Sequence, residues 1–464
     1  MNMNKKKLST MLVSLMMGSS LVLSACSNSS APANNAGTGA STPPSTPPSA
    51  SAEPSKAPEP AGEPITLRYV RGSGVSENEQ KMLDLFTEQN PNIKVQIEQA
   101  KSGGIGELLE KAAALQAAGT TADLIWVQDI GTFAKDDLLV DLTPYMKSDP
   151  VLSTAKIPDS SLKALQFKGV QMALPRAENP IIMYVNKDML AKNGIDMPKN
   201  DWTWDDYRAI AKKVTKPDEA EYGIAYGHFN SIITAGVLGV ANGTSENLYF
   251  MDADWKQSKL TTPEARRDIE WIADLQRVDH SIGSWSVIEK SGTDWMNGNV
   301  AFEIHGAWEG RNKREKAKFN WDVLPLPRGK VKQIGYNVGT GIGILKSSAN
   351  PDAAAKFLSF MHTMEAQKLG MANGDFPLTE DEELKQALTE TPIWKGSNIM
   401  ATISVEMRAE PVGAIVGADQ YVQWWSAEVQ EAFKEGKDLN KPIFEKAQQY
   451  NEQAPTLRAA LGLE

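Results

Sequence analysis

The sequence is poor in cysteine and histidine, and it has fewer basic than acidic residues. One cysteine and four histidines occur in 464 residues, and 58 acidic residues outnumber 48 basic ones. A single cysteine excludes a disulfide within the chain and a Cys-based zinc or iron–sulfur site. The scattered histidines form no H-E-x-x-H motif, so neither a bound metal nor a cofactor is expected. A formal net charge of −10 without a Lys/Arg-rich run disfavours nucleic acid as a partner.

The first 25 residues have the pattern of a secretory signal peptide. Residues 5–7 are lysines, and the apolar stretch over 8–23 is short and polar-interrupted for a permanent membrane span. The stretch ends in Leu23-Ser24-Ala25-Cys26, which resembles the bacterial lipobox. The resemblance implies cleavage before Cys26 and lipidation of its thiol, which would anchor the protein at the extracellular face of the cell membrane. The alternative is an ordinary secretory signal with an incidental cysteine.

Residues 26–64 are predicted to be the lipidated cysteine and a disordered tether. From Ser27 to Pro64 the sequence is almost wholly Ser, Ala, Pro, Thr, Gly and Asn, with nine prolines. Such a composition cannot bury enough apolar surface to order itself. Loss of residues 1–25 would take the formal net charge from −10 to −13. A proline-rich recognition site is the other interpretation, which an extracellular location disfavours.

From Ile65 the chain alternates between strand and helix patterns, over a length sufficient for about two to three domains. Strands are predicted at 65–70, 93–97 and 124–127. The helices between them begin with a capping-box pattern at Ser76-x-x-Glu79 and end at Gly119. This βαβαβ rhythm predicts an α/β fold on a mostly parallel sheet with helices on both faces.

The same rhythm continues downstream. Further strands are predicted at 181–185, 222–226, 300–304, 321–324 and 338–345, and residues 419–461 are predicted to be helical. Helix starts are predicted at Thr203-x-x-Asp206, Thr262-Pro263 and Asn350-Pro351. The glycine-rich run over 339–343 lacks the G-x-G-x-x-G spacing of a dinucleotide loop and is flanked by strand residues, which argues against a nucleotide site.

Four segments together resemble the carbohydrate-type extracellular solute-binding proteins of ABC importers, the family that includes maltose-binding protein. They contain ADLIWVQD at 122–129, YVNKDML at 184–190, NVAF at 299–302 and WDVLPLP at 321–327. Each motif is loose alone, but their order and spacing make the set specific. The resemblance covers most of residues 65–464.

The resemblance implies a periplasmic-binding-protein-like fold of two α/β lobes, with a hinge and a ligand cleft between them. It places lobe one at 65–176 plus 334–390 and lobe two at 180–332 plus 395–464. The chain would cross near 175–180, 330–337 and 389–396. The implied protein is a monomeric receptor, not an enzyme, that captures an oligosaccharide and delivers it to the transmembrane subunits of an ABC permease.

Sugar recognition needs flat apolar surfaces for the pyranose C–H faces and charge-assisted hydrogen bonds for the hydroxyls. Trp308, which follows a glycine after a strand, matches the family's stacking tryptophan. In the helical run 419–461, Trp424 and Trp425 point about 100° apart, so only one of them can face a ligand. Trp424 is predicted to do so with support from Tyr421, which shares its face. Core or hinge packing is the alternative for these aromatic residues.

The polar candidates follow predicted strands or lie where the chain is expected to cross between lobes. Ligands of open parallel sheets bind at the carboxyl ends of the strands, which favours the residues after the first and third strands. The polar ligand-binding candidates are Arg71, Ser73, Gln128, Asp129, Arg176, Glu178, Asn179, His228, Asn337 and Asp375. Asp129 would accept two hydrogen bonds from sugar hydroxyls, with a helix N-cap as the other interpretation. Arg176, Glu178 and Asn179 could instead serve the hinge, and His228 could be a solvated loop residue.

Two rival functions remain open at this point. A secreted glycoside hydrolase would need two carboxyl groups about 5–10 Å apart, one of them with a raised pKa. No such pair can be assigned from the sequence. A binding protein for a non-sugar solute is the second rival, and the several aromatic candidates argue against it.

Overall fold

The computed structural model describes residues 63–227, 232–410, 415 and 417–460. Cys26, the predicted signal peptide and all but the end of the predicted tether lie outside these residues. The described part of the chain forms the strands β1 (Ile65–Arg71), β2 (Ile93–Gln99), β3 (Leu124–Val127), β4 (Gln166–Phe167), β5 (Val170–Gln171), β6 (Leu174–Ala177), β7 (Pro180–Asn186), β8 (Tyr222–Ile224), β9 (Val300–Gly306), β10 (Trp321–Leu324), β11 (Ile334–Asn337), β12 (Thr340–Ile344) and β13 (Glu406–Arg408).

Helices cover both faces of the sheets that these strands form. The α-helices of the described residues are α1 (Glu77–Gln89), α2 (Ile105–Ala117), α3 (Ile130–Lys135), α4 (Thr143–Ser148), α5 (Asp159–Ala164), α6 (Lys187–Lys192), α7 (Trp204–Val214), α8 (Ile232–Asn242), α9 (Pro263–Arg277), α10 (Trp285–Ser291), α11 (Gly310–Lys316), α12 (Pro351–Met361), α13 (Met364–Asn373), α14 (Glu382–Glu390), α15 (Ile399–Ile403), α16 (Ala418–Glu435) and α17 (Asn440–Ala460). Within the described ranges, no helix combines the length and the apolar character that crossing a membrane requires.

The first sheet has the strand order β2-β1-β3-β12-β6. Strand β1 pairs in parallel with β2 and β3, as the βαβαβ pattern predicted, whereas β12 is antiparallel to β3 and β6. One face packs on α1 and α12 through Phe86, Phe357 and Phe360. The other face packs on α2 and α3 through Leu108 and Phe133. Burial of both faces is what makes β3 a continuous apolar run.

The second sheet has the order β13-β11-β7-β9-β8, with β10 paired to β7. Its fully buried strand β7 is antiparallel to β9, β10 and β11. One face packs on α7 and α9, for example through Tyr207 and Ile272, and the other buries Trp295 and Trp394 against Tyr184. Because β6, β7 and β12, which flank the crossings between the sheets, run antiparallel to their neighbours, both sheets are mixed, and the prediction of a mostly parallel sheet was wrong.

Two crossing segments join the sheets side by side. The chain leaves the first sheet after Ala177 and enters the second at Pro180, and it returns between Asn337 and Thr340. The Val338 amide donates to the Asn179 carbonyl over 3.0 Å. A β-bridge also joins Glu178 to Phe376, which lies on the segment between α13 and α14. These contacts hold that segment and the two crossing segments together where a hinge would lie.

The sheet membership of several segments differs from the sequence-based division. The strand predicted at 338–345 is observed as β12 in the first sheet, whereas β11, just before it, was not predicted and belongs to the second sheet. Residues 334–337 were assigned to lobe one, but they pair with β7 and β13 in the second sheet. Helix α14, also assigned to lobe one, packs Leu384 and Leu388 against Tyr184 of the second sheet. The division into lobes by residue number stays a prediction.

Candidate ligand-binding site

The two sheets present their strand ends at the crossing segments. In the first sheet, Gly341 pairs with Val127 at the end of β3, next to the end of the return crossing. In the second sheet, Ile181 pairs with Gly306 at the end of β9. The carboxyl ends of β1, β3, β8 and β9 thus lie at the edges where the sheets approach each other. We call the space between these edges the ligand cleft.

Trp308 lies directly after β9 and is 45% exposed. Its indole covers the backbone of Gly306 so closely that a Cβ there would lie 2.0 Å from the ring. The His305 ring meets the indole edge-on at 5.7 Å, and the Tyr184 hydroxyl donates to the Gly306 carbonyl over 3.0 Å. Among the residues that the structure describes, Trp308 is the one aromatic residue that is largely exposed to solvent. Glycine at position 306 therefore allows a fixed, exposed aromatic surface.

Asp129 and Gln128 follow β3, as predicted. The Asp129 carboxylate caps α3, accepting hydrogen bonds from the amides of Gly131 at 3.0 Å and Thr132 at 3.2 Å and from the Thr132 hydroxyl at 2.8 Å. A carboxylate has about four acceptor positions, so one remains for a ligand. Gln128 is exposed. The negative charge of Asp129 contributes to the raised pKa of Tyr249, whose largest cause is burial, so these residues lie near each other.

Arg71 is not available to a ligand. Its side chain is 1% exposed and forms an ion pair with Glu79, to which the second guanidinium nitrogen donates over 2.8 Å. Two further guanidinium N–H groups donate to the carbonyls of Ser73 at 3.0 Å and Gly74 at 2.5 Å. Arg71 therefore holds the loop after β1, which contradicts its prediction as a ligand contact. Ser73 is exposed on that loop.

Arg176 and Asp375 belong to a charged cluster below the strand ends. With Glu79 they line a cavity of about 40 Å³. Burial raises the pKa of Asp375, and the positive charge of Arg176 opposes that effect. The guanidinium carbon of Arg176 also lies 5.7 Å from the Trp126 ring centroid. The cluster joins the first crossing to the segment after α13, so its charges have protein partners.

Neighbouring residues of the first crossing segment, Glu178 and Asn179, have different surroundings. Asn179 bonds to Asn337 through its backbone amide and to the Val338 carbonyl through its side chain at 3.4 Å. Successive side chains of an extended segment point in opposite directions, so Glu178 and Asn179 face different sides. Glu178 and Asn337 line a cavity of about 290 Å³, which we call the hinge cavity. Its lining contains none of the strand-end residues 71–73, 128–129 or 306–308.

The two aromatic candidates in α16 have different exposures. Tyr421 is 1% exposed, donates to the Tyr249 carbonyl over 3.0 Å and lies 2.8 Å from the Ser258 hydroxyl, so it is a structural residue rather than a ligand contact. Trp424 is partly buried and meets Tyr421 edge-on at 5.3 Å, whereas Trp425 is fully buried. Only Trp424 of the pair reaches the surface, as helical geometry predicted. His228 lies outside the described residues.

Three residues near the cleft were not among the sequence-based candidates. Trp126, at the end of β3, is partly exposed and its indole nitrogen has no hydrogen-bond partner. Its position near the end of β3 could have indicated a place at the cleft, because ligands of α/β sheets bind at the carboxyl ends of strands. His305 and Tyr249 carry no sequence signal, because the contacts that place them come from the fold. In the described ranges, no three His, Cys, Asp or Glu side chains group closely enough to hold a metal ion.

Known proteins share this architecture. The family model described as "Bacterial extracellular solute-binding protein" matches residues 73–368. The maltotriose-binding protein of Pyrococcus abyssi is 23% identical over 360 residues, which is 74% of this chain and 72% of that protein. The Listeria monocytogenes ABC substrate-binding protein Lmo0181, solved with cycloalternan, superposes with a TM-score of 0.72 at 21% identity, over 87% of this chain and 100% of that one.

A solved structure with a non-sugar ligand has the same fold. UgpB from Mycobacterium tuberculosis in complex with glycerophosphocholine gives a TM-score of 0.67 at 15% identity, covering 86% of this chain and 100% of that one. These neighbours confirm the predicted two-lobed α/β fold. The match of the family model over more than half of the chain identifies this protein as a member of the bacterial extracellular solute-binding proteins.

Proposed function

We propose that the protein binds an oligosaccharide in the ligand cleft and delivers it to an ABC permease. The observation that carries this proposal is Trp308, an exposed indole held over a glycine at the end of β9. An aromatic ring fixed in this way offers a flat apolar surface to the C–H face of a pyranose at little entropic cost. The sugar ligands named for the relatives from Pyrococcus abyssi and Listeria support the same class of solute.

The proposed ligand contacts come from both edges of the cleft. Trp308 stacks on a sugar ring, and the free acceptor position of Asp129 and the exposed amide of Gln128 bind hydroxyls. Ser73 and Asn179 are further proposed polar contacts, and Trp424 of α16 is a further proposed aromatic contact. Arg176, Asn337 and Asp375 act behind this layer, since each has charged or polar neighbours in the protein. No covalent chemistry is required of any of them.

Closure of the two lobes is the proposed mechanism. A ligand that contacts both edges binds the closed form more tightly, so it shifts the equilibrium between open and closed forms by that difference in affinity. The hydrogen bonds between the crossing segments would keep the pivot in place while the lobes rotate. The permease would then distinguish the closed, loaded form from the open one.

Anchoring through Cys26 is a separate proposal that rests on the lipobox-like Leu23-Ser24-Ala25-Cys26. A lipid on this cysteine and a tether of about 39 residues would keep the receptor near the permease on the extracellular face. A Cys26→Ser variant should appear in the culture medium instead of the membrane fraction. An unchanged membrane fraction would contradict the lipid anchor and leave the cleft proposal untouched.

The test of the function is a calorimetric screen for binding combined with analysis of products. The panel should include malto-oligosaccharides, other plant and microbial oligosaccharides, and glycerophosphocholine. We expect saturable binding of at least one oligosaccharide and no change in any of them on prolonged incubation. Product formation would support the glycoside hydrolase alternative. Binding of glycerophosphocholine without binding of any sugar would support a non-sugar solute.

A further inference from the structure

Tyr249 lies in a loop after α8 whose backbone is held by side-chain hydrogen bonds. The Asn247 side chain accepts from the amides of Tyr249 at 3.2 Å and Met251 at 3.0 Å, and it donates to the Met251 carbonyl over 2.9 Å. The Tyr421 hydroxyl donates to the Tyr249 carbonyl over 3.0 Å. Because these bonds fix the backbone on both sides of Tyr249, the fold sets the direction of its side chain before a ligand arrives.

The backbone of this loop is strained next to Tyr249. Phe250 has a φ of 54°, in the left-handed region that bulky side chains rarely adopt. The neighbouring Leu248 packs so closely on α8 that a Cβ at Gly236 would lie 1.9 Å from its carbonyl oxygen. Strained conformations persist only where the surroundings hold them in place, and they are common at binding sites. The strain therefore points to a function for the side chain that this loop positions.

The Tyr249 hydroxyl is unpaired and open to solvent. The residue is 5% exposed, and no group in the described part of the chain bonds to its hydroxyl. The hydroxyls of Tyr207 and Tyr450 also have no partner there, but they are closed to solvent. The Tyr249 hydroxyl differs from them in this respect, so a ligand can reach it.

Asp129 lies near Tyr249, on the other edge of the ligand cleft. Asp129 follows β3 of the first sheet, whereas Tyr249 packs with Tyr336 in the core of the second sheet. Burial raises the pKa of Tyr249, and the negative charges of Glu410 and Asp129 raise it further. The hydroxyl therefore keeps its proton and can donate it in a hydrogen bond.

A ligand hydroxyl group fits between these two side chains. It can accept from the Tyr249 O–H and donate to the free acceptor position of Asp129. Its bond to the carboxylate would be charge-assisted, and such bonds are stronger than those between neutral groups. A phosphate or carboxylate group would instead meet the negative charges of Asp129 and Glu410. The pair thus favours a hydroxyl of a neutral sugar over an anionic group.

We propose that the Tyr249 hydroxyl is a ligand contact, and that it and Asp129 bind the same sugar hydroxyl from opposite edges of the cleft. This role of Tyr249 rests on the proposed function, since it presumes a hydroxylated ligand in the cleft. One partner belongs to each sheet, so the shared hydroxyl is held from both sides only when the sheets are close together. Tyr249 thereby makes ligand affinity depend on closure.

The first experiment removes only the hydroxyl, with Tyr249→Phe. Calorimetry uses maltotriose, or the oligosaccharide that binds tightest in the screen if maltotriose does not bind. We expect the affinity to fall about tenfold, because one hydrogen bond to the ligand is lost. Tyr145→Phe is the matched control, since it removes a surface hydroxyl that bonds to Asp352 at the start of α12, and it should bind like the wild type.

Unfolding free energies separate a ligand contact from a structural role. Because its hydroxyl has no partner in the described residues, Tyr249→Phe should be as stable as the wild type. Tyr421→Phe loses the bonds to Ser258 and to the Tyr249 carbonyl, so it should be less stable. If Tyr249→Phe were as destabilised as Tyr421→Phe, its hydroxyl would be bonded inside the protein, and its role as a ligand contact would be wrong.

A double-mutant cycle tests whether one ligand hydroxyl serves both residues. Asp129→Asn removes the negative charge but keeps a side-chain oxygen that can cap α3. We expect Asp129→Asn and Tyr249→Phe each to weaken sugar binding, and the double variant to lose less than the product of the two effects. Effects that simply multiply would place the two residues on different groups of the ligand and would overturn the shared contact.

The wild type shows which proposal fails if the affinities differ from this expectation. Unchanged affinity in Tyr249→Phe, alongside sugar binding by the wild type, would overturn the role of Tyr249 and leave the proposed function standing. A wild type that binds no oligosaccharide of the screen would contradict both proposals.

Discussion

Arg71 and Trp308 both lie at the carboxyl ends of strands, yet their surroundings give them different roles. The Arg71 guanidinium donates hydrogen bonds to Glu79 and to two carbonyls of the next loop, and it is almost fully buried. Trp308 keeps one face of its indole open. A buried side chain that bonds only to other protein groups stabilises the site, and one with an open face can contact a ligand.

The ion pair of Arg71 with Glu79 should contribute strongly to the stability of the folded protein. Arg71→Met leaves the Glu79 carboxylate without its partner in a largely buried place, which costs about 3–5 kcal/mol. Lys81→Met breaks the exposed pair with Glu77 and should cost about 0–1 kcal/mol. Denaturant unfolding measures both free energies. Similar losses for the two variants would contradict a structural role for Arg71.

At the scale of elements, local side-chain bonds define the helix starts that the sequence indicated. Helix α7 begins at a full capping box, in which the Asp206 amide donates to the Thr203 hydroxyl over 3.0 Å and the Thr203 amide donates to the Asp206 carboxylate over 2.9 Å. At α1 the Ser76 hydroxyl accepts from the Glu79 amide, but the Glu79 carboxylate pairs with Arg71 instead. Only one of the two hydrogen bonds of the predicted capping box therefore forms at α1, because the Glu79 carboxylate binds Arg71 instead.

Removal of the capping box should destabilise the protein measurably. Thr203→Ala leaves the Asp206 backbone amide at the start of α7 without its acceptor, and we expect a loss of about 1 kcal/mol in the free energy of unfolding. Asn350→Ala is the matched control, since Asn350 precedes Pro351 at the start of α12 without a side-chain cap bond. Chemical denaturation should show less than half the loss for this control. Equal losses would mean that the Thr203 bonds contribute nothing.

The first crossing segment should make stability depend on pH through Glu178. Burial raises the pKa of its carboxyl group from 4.5 to about 7. As pH rises from about 4.5 to 7, the carboxyl ionises in the unfolded chain first, so the folded state loses stability relative to it and the deficit stays constant above that range. Glu178→Gln, which cannot ionise, should match the wild type near pH 4.5 and exceed it by about 1–3 kcal/mol at pH 8.

The control for this pH effect is a carboxylate on the surface. Glu383 is exposed and pairs with Lys368, so Glu383→Gln should not raise stability at pH 8. Unfolding free energies at pH 4.5, 6 and 8 separate the two variants. A Glu178→Gln protein that is no more stable than the wild type at pH 8 would contradict the burial of this carboxyl group.

For the whole molecule, the sequence predicts local elements better than the contacts that join them. Strands at 65–71 and 93–99 follow from alternation and turn residues within a short window, and the strand at 124–127 follows from a continuous apolar run. Strands β6, β11 and β13 are three or four residues long, and their partners lie far along the chain, as in the pairing of Leu174 with Ile342. Such strands exist because a neighbouring strand completes their hydrogen bonds, and that information is absent from the window itself.

Sequence reasoning likewise finds some residues of the candidate site and misassigns others. Trp308, Gln128 and Asp129 lie at strand ends, where a general rule for α/β sheets places ligand contacts, so sequence reasoning could find them. Arg71 and Tyr421 have residue types suited to sugar binding, but Glu79 and Ser258 occupy their polar groups. Whether a polar side chain is free depends on neighbours that only the fold brings close.

The proposed sugar site depends most on the open face of Trp308. Titration calorimetry should compare the wild type, Trp308→Ala and Trp308→Phe, using the oligosaccharide that binds tightest in the screen. Loss of the stacking surface in Trp308→Ala should weaken binding more than about tenfold, or about 1.4 kcal/mol, while Trp308→Phe keeps a ring and most of the affinity. Equal affinity in all three proteins would contradict a sugar site at the end of β9.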